Sequence, residues 1–176
     1  MWAAKLAAGL ILNLVSAQWA DRRAAKELSM HTATTPLPDI LHSILPVIPF
    51  SSPDIFLLSL LAILIANGNY YDDAHMWALQ VSVVLRAAVI HITLMPTCVP
   101  HPKSPPNGLY SKFFHCSHDL MFSGHTLCFL YVGACMHNSL VSVIGPLMLI
   151  AARQHYTIDV CVAFVVYQYV YLLYNN

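Results

Sequence analysis

Uncharged runs divide this chain: Ile55 to Tyr71 is one, Leu120 to Ala152 a second and Val160 to Asn176 a third. A membrane-crossing helix takes about 20 residues, or roughly 17 at the short end, so the second run holds two short spans. Two more apolar stretches carry one basic residue each, Trp2 to Ala20 with Lys5 and Met76 to Met95 with Arg86. Breaker-rich segments lie between them. "DRRAAKELSMHTATTPLPD" (21–39) follows the first stretch, "NGNYYDDAH" (67–75) the second and "MPTCVPHPKSPPNGLYSKFFHCSH" (95–118) the third, while "HNS" (137–139) parts the fourth from the fifth. Gly145 and Pro146 fall inside the fifth, where a proline without a donor N–H predicts a kink. The pattern predicts an all-α fold, a polytopic membrane bundle of six transmembrane helices at about 2–20, 53–70, 76–95, 121–136, 139–153 and 157–174.

Composition supports this pattern. The chain is 58% hydrophobic and 9% charged, against about 25% charged in ordinary globular domains, so a soluble fold would lack the polar groups to cover its surface. Eight Lys and Arg balance eight Asp and Glu, which points to neither a nucleic-acid partner nor a strongly acidic one. Six spans and their loops fill 176 residues, so a single integral membrane domain, 1–176, is expected. The first stretch has the basic start and apolar core of a signal peptide, but a retained span is the expectation. Cys128, Cys135 and Cys161 lie within spans as packing residues, whereas Cys98 and Cys116 share a loop in which one disulfide stays open.

Counting six spans puts the loops after the first, third and fifth on one membrane face, without saying which face it is. Three polar clusters collect there: "PLPD" (36–39), "DLMFSGHT" (119–126) and "RQHYTID" (153–159). His155 and Asp159 are spaced i, i+4, which on a helix would set them one turn apart on the same side. The carboxylate can then accept one imidazole N–H and leave the other ring nitrogen as nucleophile or base. His125 opens the fourth span, preceded by Ser123 as a helix N-cap and by Gly124, which permits close approach. A protonated His125 can hand its proton to a leaving group. An ionisable Asp159 beside an uncharged span is costly, and so points to function. A metal site is the rival reading, with "HCSH" (115–118) or His125, His155 and Asp159 as ligands. His31, His42, His75, His91, His101 and His137 are expected to be ordinary hydrogen-bonded polar residues.

"DLMFSGHT" and "HYTIDVCVAF" resemble the third and fourth signature motifs of the sphingomyelin synthase family, roughly C-G-D-x-x-x-S-G-H-T and H-Y-T-x-D-V-x-x-x-Y. "TPLPD" (35–39) resembles its first motif, P-P-L-P-D, and "LRAAVIHITLMP" (85–96) keeps the Arg, Thr and Pro spacing of its second. Phe164 stands in place of the last motif's Tyr, and "CSHD" has one residue more than C-G-D. The resemblance implies six spans around a catalytic core shared with lipid phosphate phosphatases, and a first span retained before the P-P-L-P-D loop. It implies His155 as the nucleophile that takes the phosphorylated head group, Asp159 as the residue that activates it, and His125 as the acid for the departing diacylglycerol. Asp119 would hold His125 or orient the head group.

The implied reaction moves a head group, phosphocholine first among the choices, from a glycerophospholipid to ceramide or a similar lipid alcohol, with no cofactor and no metal. Arg86 and Arg153 are candidate phosphate contacts, Tyr156 a candidate for a choline group, and Asp39, Ser123 and Gly124 supporting residues. A phospholipase C or lipid phosphatase with the same His/His/Asp centre is the alternative, and a non-enzymatic membrane scaffold an alternative of another class. No Arg-Pro pair occurs, which suits a phosphodiester better than the dianion that lipid phosphatases clamp. The expected partners are the donor phospholipid and the acceptor within the bilayer, with no nucleic acid; homo-oligomerisation stays open. The resemblance implies a lumenal or extracellular catalytic face. Arg22, Arg23, Lys26, Lys103, Lys112 and Arg153 against Lys5 would point that face to the cytoplasm.

Overall fold

A computed structural model describes residues 2–27, 38–68, 72–92 and 122–176, and every regular element among them is helical. Helix α1 is Trp2–Glu27, α2 Ile40–Ile44, α3 Ser52–Ala66, α4 Asp73–Ile92, α5 Gly124–Cys135, α6 Ser139–Ala151 and α7 Thr157–Asn175. α1 runs past the expected end at Ala20, because the residues that follow, "DRRAAKE", are mostly good helix formers. Its Arg23 guanidinium lies 5.3 Å over the Trp19 ring. The short α2 follows the first polar loop and is capped by Asp39, whose carboxylate accepts from the N–H groups of Leu41 and His42.

Side-chain caps set the starts of α5 and α6. Ser123 starts α5 by accepting from Thr126 N at 3.1 Å, and Asn138 starts α6 by accepting from Leu140 N at 3.0 Å. α5 and α6 both end in the reverse turn that a left-handed residue makes after a helix. After α5 that residue is His137, φ 49°, with Asn138 N donating to Gly133 O at 2.8 Å. After α6 it is Arg153, φ 60°, with Gln154 N donating to Leu149 O and Arg153 N to Ile150 O, both at 3.0 Å. Glycine is the usual residue there, so an arginine needs a reason that its side chain supplies below.

α5 is central, packed on α3, α4, α6 and α7, while α4 also packs on α1 and α7. The shared core includes Leu64, Leu79, Val83, Leu127, Phe129, Val132, Leu149 and Tyr167. α5 and α6 pass very close. A Cβ on Gly145 would lie 2.2 Å from the Phe129 ring, and one on Gly133 2.2 Å from Ser142 Oγ. Pro146 lies inside α6 beside that contact.

Side-chain pairs fix the helix directions. Gly9 meets Val83 and Ser16 meets His91, so α1 and α4 run parallel. His75 stacks on Tyr171, so α4 and α7 run antiparallel. The ends of α1, α4 and α6 therefore share one end of the bundle with the starts of α3, α5 and α7.

Two helices, α4 and α7, are long and apolar enough to cross a membrane; α3, α5 and α6 are apolar but shorter. In α7 only 22% of the apolar window is buried within the protein, whereas the core helix of a soluble protein would be mostly covered. Ile55, Leu58, Leu140, Val143, Val165 and Leu172 all face outward. Apolar residues thus cover the outside of the bundle as well as its core, and large exposed apolar surface marks contact with a partner or a membrane.

Candidate active site

His155 does not sit on a helix. It lies in the turn between α6 and α7, two residues before the first residue of α7. Asp159 is the third residue of α7, and its Oδ2 accepts from Tyr156 N at 3.0 Å, the carboxylate half of a capping box. The helix N-terminus favours a negative charge at that place. The same Oδ2 is 3.5 Å from His155 Nδ1, longer than an ordinary hydrogen bond, and both side chains are nearly buried. Catalytic contacts are commonly long before substrate tightens them. Nδ1 is the ring nitrogen nearer the carboxylate. The pair forms, but through a turn followed by a cap and not on adjacent turns of one helix.

His125 is the second residue of α5, and its ring centroid is 6.4 Å from that of His155. Its Nε2 lies 3.2 Å from Asp54 Oδ1, at the start of α3. Asp54 is buried, and its Oδ2 receives Gln154 Nε2 at 3.3 Å. Gln154 also donates to Phe50 O at 2.6 Å. Each histidine thus has its own carboxylate, and Gln154, next to the first histidine, touches the carboxylate of the second.

Asp39, the last residue of "PLPD", is stitched to this turn. Asp39 Oδ2 accepts from Thr157 N at 2.6 Å, and its Oδ1 accepts from Thr157 Oγ1 at 2.7 Å. Partial burial raises the Asp39 pKa, but the donors on Thr157 and His42 outweigh it and hold the carboxyl below its ordinary value. Arg153 donates to the carbonyls of His42, Leu45 and Ile150. That guanidinium is bound to main chain, which explains an arginine at a left-handed position and places it as a clamp on the 42–45 backbone. Tyr156 is buried, its ring centroid 5.4 Å from that of His42.

Arg86 is buried on α4. Its Nε donates to Phe122 O at 2.6 Å and its Nη1 to Asn13 Oδ1. A Cβ on Gly124 would lie 3.3 Å from Arg86 Nε, so this glycine lets the start of α5 close on the guanidinium. Ser123 N donates to Asp159 O at 3.1 Å, joining the first turns of α5 and α7.

His125, His155, Asp159, Ser123, Gly124, Arg86, Arg153, Tyr156 and Asp39 therefore gather at one end of the bundle. Asp119, "HCSH", Cys98 and Cys116 lie outside the described residues. Among the described residues no group of three or more His, Cys, Asp or Glu is placed to hold a metal ion.

Asp54, Gln154 and His42 are additional members that the sequence reading did not single out. Asp54 had a signal: a lone acid in the first turn of an apolar helix is costly near a bilayer. His42 lies three residues beyond Asp39. No protein-family model matches this chain, and no curated protein matches it either.

Proposed function

We propose that this chain is a membrane-embedded lipid phosphotransferase of the sphingomyelin synthase type, with α1 and α3 to α7 forming the spanning bundle. The carrying observation is the pairing of two histidines 6.4 Å apart, each facing its own carboxylate. In the proposed reaction His155 Nε2 attacks the phosphorus of a glycerophospholipid, the phosphorus–oxygen bond to diacylglycerol breaks, and His125 supplies the proton that the departing oxygen needs. Asp54 Oδ1, 3.2 Å from His125 Nε2, supplies the negative charge that favours a protonated His125 for this transfer. In the second half the hydroxyl of ceramide or a similar lipid alcohol attacks the phosphorus of the phospho-histidine, the bond from phosphorus to His155 Nε2 breaks to free the imidazole, and His125 takes the hydroxyl proton. The apolar exterior supports a bilayer setting, in which both lipids are already concentrated.

The test uses purified protein in liposomes with labelled phosphatidylcholine, with and without ceramide. Acceptor-dependent head-group transfer supports the reading, whereas head-group release to water at an equal rate assigns a phospholipase C using the same residues. Transfer that survives His155→Ala overturns the mechanism. Transfer is expected to persist in a chelator, and its loss there would assign the chemistry to a metal.

A further inference from the structure

Three polar groups of His42 and its ring meet residues around His155. Its backbone N–H donates to Asp39 Oδ1 at 3.3 Å. Its backbone carbonyl accepts from Arg153. Its ring lies beside Tyr156. Its Nε2 is 3.0 Å from the backbone carbonyl of His155. A carbonyl only accepts, so this contact requires the proton on Nε2 and fixes the tautomer of His42.

Three of these contacts reach the turn at 153–156, where Gln154 is also held by Phe50 and Asp54 and Tyr156 by Asp159, and where His42 is the residue that meets the His155 carbonyl. Residues 152–156 are not helical, Arg153 is in the left-handed region, and His155 Nδ1 lies 3.5 Å from Asp159 Oδ2. Position in such a turn depends on its neighbours. His42 grips the main chain of His155 itself, while Asp39 and Arg153 hold His42 from both sides.

We propose that His42 is a positioning residue: it fixes the backbone of His155 so that the imidazole stays between Asp159 and His125. This rests on the phosphotransferase reading, but the contact has a consequence independent of activity. A misplacement of about 1 Å at a reacting group costs up to about 100-fold in rate, and that is the scale of loss expected when the grip is released.

His42→Gln, His42→Asn and His42→Ala separate this role from a packing role. The glutamine amide nitrogen can reach where Nε2 was, whereas the asparagine amide stops short. His42→Gln is expected to keep transfer within about threefold of the parent, while His42→Asn and His42→Ala lose about 10- to 100-fold in kcat with KM little changed. The second readout is carbethoxylation of His155 by diethyl pyrocarbonate, followed by mass spectrometry in liposomes without substrate. His155 is buried, and its modification is expected to speed up several-fold in His42→Asn while His42→Gln stays at the parent rate.

Unchanged kcat and unchanged His155 reactivity in His42→Asn would overturn the proposal, as would a loss equal in the Gln and Asn variants. If the parent shows no head-group transfer at all, the phosphotransferase reading fails while the carbethoxylation result still decides the positioning role. Thermal unfolding of each variant in detergent identifies misfolding, and the Gln and Asn comparison is read on folded protein.

Discussion

Asp54 Oδ1 lies 3.2 Å from Nε2 of His125, joining the first turn of α3 to the first turn of α5. If this carboxylate supports His125 as the acid, Asp54→Asn keeps the shape and removes the charge. Transfer from phosphatidylcholine is then expected to fall by about 100-fold, within the range that a general acid contributes. An aryl phosphocholine ester, whose leaving group needs no proton, should react with the variant nearly as fast as with the parent. Equal losses on both donors would assign Asp54 to folding alone.

Arg153 combines a left-handed backbone with a guanidinium on three carbonyls. Arg153→Ala loses the clamp and keeps the backbone strain, whereas Arg153→Gly loses the clamp and relieves the strain. Glycine should therefore be the more stable of the two by about 1 kcal/mol, measured by thermal unfolding in detergent. Both should be less active than the parent, because the 42–45 backbone is released. Arg153→Lys should not restore activity, since one ammonium cannot span the fork of contacts.

Asp39 predicts an acid-sensitive joint. Its folded pKa lies below the ordinary value of 3.8 because Thr157 and His42 donate to its carboxylate. A depressed folded pKa contributes stability that is present above the unfolded value and is lost as pH falls through the folded one. Asp39→Asn should lower the thermal midpoint at neutral pH, and the gap from the parent should close as pH drops below about 4. A gap that stayed constant down to strongly acid pH would show that the charge on Asp39 adds nothing.

Gly145, like Gly133, allows a close helix approach in the core. A Cβ there would overlap the Phe129 ring, and Phe129 is fully buried. Gly145→Ala should destabilise the protein by about 1 to 3 kcal/mol, the usual cost of overpacking. Adding Phe129→Leu should recover part of the loss by making room, and a double variant no better than the single one would place the strain elsewhere. Both are read as thermal midpoints.

Much of the helical layout was legible from apolar runs and caps. The start of α5 at Ser123 followed from a serine before an apolar run, because an N-cap is a local interaction between a side chain and an N–H three residues on. The His155 and Asp159 pairing was legible as a spacing, but its geometry was not. A spacing of four reads as a helical pair, while the chain turns at Arg153 and uses Asp159 to cap α7. Helices α5 and α6 are each a little shorter than the two spans expected at 121–136 and 139–153, with "HNS" between them supplying a left-handed residue and an N-cap.

By itself the sequence determined an all-helical chain with apolar helices, the polar clusters between them and the candidate histidines, because periodicity, capping and the absence of charge act over a few residues. Only the tertiary structure decided that Asp54 faces His125, that Gln154 reaches Asp54 across 100 positions, and that His42 holds the carbonyl of His155 across 113. Those contacts depend on the direction and close approach of helices set by pairs such as Gly145 with Phe129 and Gly124 with Arg86. Packing of that kind is a property of surfaces brought together, and no single stretch of chain carries it.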